Sequence, residues 1–139
     1  MPTTTAGYSG TPLWKKLGYR DGTAAWVEGA PADYDELLGL PADLAVTRLP
    51  RPRRGMPFVH LFATKAALLK KKLAAYRAAV NPAGTIWVSW PKKAAGVPTD
   101  ITEDVIREVA LPMGLVDIKV CAVDAVWSGL KLVIRKELR

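Results

Sequence analysis

One stretch, "FVHLFATKAALLKKKLAAYRAAVNPAGTIWVSW" at residues 58–90, limits what this chain folds into more than any other. Phe58 to Ala63 is an apolar run of strand length, interrupted only by His60. Such runs suit strands covered on both faces, as in a parallel sheet. Thr64 follows as a helix cap. Leu69, Leu73, Tyr76 and Val80 then recur at the 4-3-4 spacing of one buried helical stripe. Lys70, Lys71 and Lys72 lie mostly off that stripe, toward water. Asn81-Pro82-Ala83-Gly84 ends the helix, and β-branched and aromatic residues from Thr85 to Trp90 form the next strand. A strand, a helix and a strand in succession predict a crossover between parallel neighbours.

The flanking sequence extends this pattern. Thr11 to Gly18 reads as a short helix, with Thr11 as cap, Pro12 in the first turn and Gly18 as stop. Arg20-Asp21-Gly22 is a turn before a strand from Thr23 to Glu28. Asp33 to Leu38 is a short helix, and Leu44 to Leu49 a second strand. "PRPRRGMP", residues 50–57, is an irregular basic loop. A helix begins near Asp100 or Thr102, with Glu103 and Asp104 in its first turn and Val105, Ile106, Val109 and Met113 as its apolar stripe. Two strands close the chain, Val116 to Val123 and Ser128 to Lys136, joined by a hairpin at Asp124–Trp127. The fold expected is a single α/β domain over residues 1–139, with residues 1–10 as a flexible N-terminus. It is three-layered and Rossmann-like, mainly parallel, with a C-terminal antiparallel hairpin.

Composition excludes several classes. No apolar run approaches the roughly 20 residues that cross a bilayer, and "MPTTTAGYSGTPLW" has neither the basic start nor the apolar stretch of a secretory signal. A cytoplasmic protein is expected. Cys121 is the one cysteine and His60 the one histidine, so no disulfide and no metal site is expected. Both lie in apolar strands and read as structural. The net charge is +7, and it is unevenly spread: Leu44 to Thr99 holds eleven Lys or Arg and no Asp or Glu. That stretch raises the question of a polyanionic partner. Without a reading motif, any nucleic-acid contact is expected to be weak, sequence-independent and salt-sensitive. A homodimer through a sheet edge or helix face is compatible with the pattern.

The order of elements resembles the Rossmann-like methyltransferases. "LGYRDGTAAWVEGAP" is similar to that family's approach to its first strand, and "AAVNPAGTIWVSW" to its helix, Pro-Gly turn and late strand. The final hairpin resembles its antiparallel end. The resemblance implies the scaffold and a cryptic or degenerate methyltransferase-like enzyme as one reading. The loop after the first strand, Glu28-Gly29-Ala30-Pro31, carries a single glycine, and no acid ends "LAVTRLP". Glycines let the backbone approach a ligand, so no cofactor is expected and S-adenosylmethionine is expected not to bind. "GYSGTPLWKKLGY", "VSWPKKAAGVPTD" and "KVCAVDAVWSGLKLVIRK" resemble a small bacterial family known only as a domain of unknown function.

Ligands of open α/β sheets gather at the carboxyl ends of the strands. The strand "TIWVSW" ends there in Pro91, Lys92 and Lys93. If the hairpin strand returns beside it, Trp127, Ser128 and Lys131 come to the same edge. The leading expectation is therefore an anionic small molecule held by Lys92, Lys93 and Lys131, with Trp127 and Ser128 beside it. Clustered ammonium groups repel unless an anion, or Asp100 and Asp124, offsets them. Whether the chain is an enzyme is left open by these residues.

Overall fold

The computed structural model describes residues 10–139, so the flexible N-terminus expected over residues 1–10 falls, Gly10 apart, outside the described residues. Four helices and six strands follow one another as α1 (Leu13–Leu17), β1 (Thr23–Glu28), α2 (Tyr34–Leu38), β2 (Val46–Arg48), β3 (Met56–Phe62), α3 (Ala66–Ala79), β4 (Val80–Pro91), α4 (Glu103–Ala110), β5 (Leu115–Ala122) and β6 (Trp127–Ile134). The strands form one sheet in the order β2-β1-β3-β4-β6-β5. β2, β1, β3 and β4 are mutually parallel, and β6 runs antiparallel to both β4 and β5. The fold is the Rossmann-like α/β sheet with an antiparallel end that the element order implied.

Alternation along the strands builds two cores. Ile86, Val88 and Trp90 of β4 pack with Leu69, Leu73 and Tyr76 of α3 and Ile106 of α4. Trp87 of β4 points the other way, into a layer with Leu13, Leu17, Tyr34 and Leu38 of α1 and α2. Trp87 is fully buried, and its indole N–H donates to the Leu17 carbonyl at 2.8 Å, which satisfies its one polar group.

Several boundaries differ from expectation for physical reasons. β2 is three residues long, Val46–Arg48, because only those residues pair with β1. β3 starts at Met56 rather than Phe58, since Met56 pairs with Val80. β4 starts at Val80, directly after α3, and the expected turn at Asn81–Gly84 is an irregularity inside it, between the Met56–Val80 and Phe58–Thr85 pairs. Thr64 does not cap α3. Its first turn is capped from a distance, by Asp100 Oδ1 accepting from the Ala66 N–H at 2.7 Å. Thr102 caps α4, accepting from the Val105 N–H at 3.2 Å.

The chain passes from β1 to β2 on one side of the sheet and then to β3 on the other side of β1. The carboxyl ends of β1 and β3 therefore flank a topological switch point, where open α/β sheets hold ligands.

Candidate functional site

At the switch point the backbone comes close. Gly29, just after β1, has φ +74°, and a Cβ there would stand 2.7 Å from the Phe62 carbonyl oxygen at the end of β3. Only glycine fits both the left-handed backbone and that approach. Phe62 continues into an aromatic row. Its ring meets Trp127 edge-on at 5.1 Å and stacks on His60 at 4.3 Å. Trp127 is the half-buried member at the sheet edge. Beyond β1, the last residue of β2, Arg48, pairs with Asp35 at the start of α2, and its guanidinium lies over the Tyr34 ring at 5.2 Å.

Beneath this edge runs a chain of buried hydrogen bonds. Tyr19 Oη meets Tyr34 Oη, Tyr34 Oη meets His60 Nδ1, and His60 Nε2 meets Ser89 Oγ, each at 2.8 Å. His60 and Ser89 are wholly buried. Burial first, and the Arg48 charge second, pull the imidazole down to about 3, so the ring is neutral at neutral pH. Burial pushes the Tyr19 hydroxyl up to about 12, and Tyr34 further still. The sequence places Ser89 far from His60, and the parallel pairing of β3 and β4 brings them together. With no exposed atom, the pair is a satisfied core contact rather than a nucleophile and its base.

On the opposite face of β1, Glu28 accepts from Tyr76 Oη and from the Trp26 indole, and pairs with Lys72 at 2.9 Å. Burial raises its carboxyl, but the bonds from Tyr76 and Lys72 outweigh that, and the net shift is downward. This tethers α3 to the end of β1.

The five residues expected to form the site divide. Trp127 and Ser128 pair with Pro91 and Trp90, at the carboxyl end of β4. Lys92 follows directly, and its Nζ donates to the Asp124 carbonyl at 2.7 Å. Lys93 is exposed in a short 3-10 turn, Lys93–Ala95. Lys131 does not join them, which corrects the expected cluster. It pairs with Trp87, four residues back along β4 from Pro91, or about 13 Å at 3.3 Å per residue. There it lines a cleft with Arg20, Thr23 and Pro57, at the amino ends of the parallel strands. β6 is antiparallel, so only its first residues reach the carboxyl edge. Neither proposed counter-ion serves the lysines: Asp100 caps α3, and Asp124 Oδ1 accepts from the Val126 and Trp127 N–H groups to fold the hairpin. Trp90 and Trp127 also belong to opposite cores. Arg48, Asp35 and Arg20 escaped the sequence reading, since isolated charges beside short elements carry no motif.

No protein-family model matches the chain, and no curated protein matches it in sequence. The likeness to a bacterial family of unknown function gains no support from this. Solved structures do match. A S-adenosylmethionine-dependent methyltransferase from Aquifex aeolicus aligns with a TM-score of 0.63 at 13% identity, over 86% of this chain and 87% of that one. An O-methyltransferase from neocarzinostatin biosynthesis, in complex with S-adenosylmethionine and a naphthoic acid, aligns with a TM-score of 0.63 at 15% identity, over 87% of this chain and 50% of that one. Magnesium protoporphyrin IX methyltransferase from Synechocystis PCC 6803, with bound S-adenosylmethionine, aligns with a TM-score of 0.57 at 10% identity, over 88% and 74%. The shared fold is thus that of methyltransferases. Two of these structures hold the cofactor, which overturns the expectation that none goes with this chain. The single glycine of Glu28–Pro31 is no ground for that exclusion, and Gly29 itself is required by its approach to the Phe62 carbonyl at the β1–β3 junction.

Proposed function

We propose that this chain binds S-adenosylmethionine, or a nucleoside cofactor of its kind, at the carboxyl edge between β1 and β3, as a methyltransferase-like module. The observation that carries the reading is the close approach of Gly29 to Phe62 at the switch point, beside an aromatic edge. The residues there fit the group. Trp127, half-buried at that edge and seated on the buried Phe62 ring, offers a surface for a planar base. Asp35, oriented by Arg48, offers a carboxylate for a ribose diol. Lys93, exposed at the same edge, offers a cation for the ligand's carboxylate. The cofactor, when bound, would supply an electrophilic methyl group. The chain's own residues bind and orient.

Calorimetric titration with S-adenosylmethionine tests this, alongside tryptophan fluorescence. Saturable binding with quenching is expected. Trp127→Phe should remove the quench. Asp35→Ala should weaken binding about tenfold, the loss of one well-placed polar contact, and should leave stability nearly unchanged because the Asp35 side chain is 80% exposed. No saturable heat at millimolar cofactor, on folded protein, would overturn the proposal.

A further inference from the structure

The displaced lysine marks a second site. Lys131 lines a cleft of about 570 Å³ on the α1/α2 side of the sheet, at the amino ends of β1 and β3. Arg20, Thr23 and Thr85 line it together with the buried Phe58 and Tyr19, and the Thr23 hydroxyl accepts from the Arg20 N–H at 3.0 Å. The volume lies within the roughly 300–1,000 Å³ range of small-molecule pockets. Gly18 and Gly22, with φ +90° and +88°, turn the chain sharply on either side of Arg20. These turns place Arg20, an exposed lining residue of the cleft, in a loop rather than in a helix or strand.

The charge here is unbalanced. Lys131 stands directly across from Lys119 in the β5–β6 ladder, and like charges in that position are destabilising. A bulge between Asp117 and Lys119 sets this register. Among the described residues, Lys131, Lys119 and Arg20 take part in no ion pair. Asp21 is the one carboxylate in the cleft lining, and its Oδ1 accepts from the Ala45 N–H at 2.7 Å. Lys119 Nζ reaches only the Lys16 carbonyl, at 3.3 Å. Burial first, then the charges of Lys119 and Arg20, lower the Lys131 ammonium below its ordinary value. A half-buried ammonium facing two other cations is held in an arrangement that an anion would relieve.

We propose that this cleft binds the anionic group of a small phosphorylated molecule, between Arg20 and Lys131, with Thr23 and Thr85 as hydroxyl partners. The site is separate from the carboxyl edge, since it lies at the other end of the same strands. It does not depend on cofactor binding there.

Inorganic pyrophosphate serves as the probe, with amide shifts from 15N-labelled protein as the readout. The shifts should cluster at residues 18–23, 58, 85 and 131. Lys131→Gln should weaken binding at least tenfold, and Lys131→Arg should restore most of it. Without anion, Lys131→Gln should also melt no lower than the wild type, because it removes like-charge repulsion; with pyrophosphate only the wild type should gain in midpoint. Shifts spread over Lys70–Lys72 and Arg51–Arg54, or affinity unchanged in Lys131→Gln, would overturn the proposal. So would a fall in the anion-free midpoint of Lys131→Gln, since that shows the ammonium to be a structural partner.

Discussion

At the scale of single residues, His60 makes the sharpest prediction. It is the only histidine, and its buried ring is held neutral with a value near 3 against an ordinary 6.5. The unfolded chain therefore binds one more proton than the folded one between those values. The stability tied to the neutral ring is complete above about pH 6.5 and is lost as pH falls toward 3. No other side chain ordinarily titrates between pH 6.5 and 5. Urea unfolding in that window should show stability falling with a slope that grows from about 0.7 kcal/mol per pH unit at pH 6.5 toward about 1.4 near pH 5, and imidazole nitrogen resonances should stay those of the neutral ring. A flat profile, or a ring that protonates near pH 6, would contradict the burial. Ser89→Ala leaves Nε2 without its partner and should cost about 1–3 kcal/mol, measured by the same unfolding. The apolar run around His60 announced a core histidine. Its partners did not show in the sequence, because Tyr34 and Ser89 are 26 and 29 residues away and meet it only through folding.

Individual elements were legible in proportion to their periodicity. The stripe of Leu69, Leu73 and Tyr76 is buried as its spacing implied, and Thr102 caps its helix as its type implied. What escaped were features set by distant pairing. Lys131 was misplaced because an antiparallel strand brings only its first residues to the carboxyl edge, and its register was invisible before the hairpin closed. Asp100 looked like a neighbour of the lysine pair, but its carboxylate faces the start of α3, 34 residues away. Asp100→Ala should therefore weaken the first turn of α3, lowering stability by about 1 kcal/mol and speeding amide exchange at Ala66. Unchanged exchange there would mean that the distant cap contributes nothing. Gly29→Ala tests the β1–β3 junction. The new methyl group meets the Phe62 carbonyl in a left-handed backbone, so the variant should lose more than about 1 kcal/mol by chemical denaturation.

For the whole molecule, the sheet order decides where function gathers. The basic stretch from Leu44 to Thr99 is divided by its contacts. Arg48 is paired with Asp35 and Lys92 with a hairpin carbonyl, while Arg53, Arg54, Lys71 and the Glu28-paired Lys72 line one groove beside Tyr76. We propose that any contact with nucleic acid is weak, with an affinity falling steeply as salt rises. The carboxyl edge, by contrast, joins the switch point, the Gly29 approach and the Phe62–Trp127 aromatic pair in one place. The most direct measurement of that claim maps S-adenosylhomocysteine onto 15N-labelled protein by amide shifts. Saturable shifts concentrated at Gly29, Ala30, Phe62, Lys93 and Trp127, with residues 18–23 unmoved, are the predicted result. The absence of saturable shifts at millimolar ligand, or shifts confined to the cleft around Arg20 and Lys131, would contradict it.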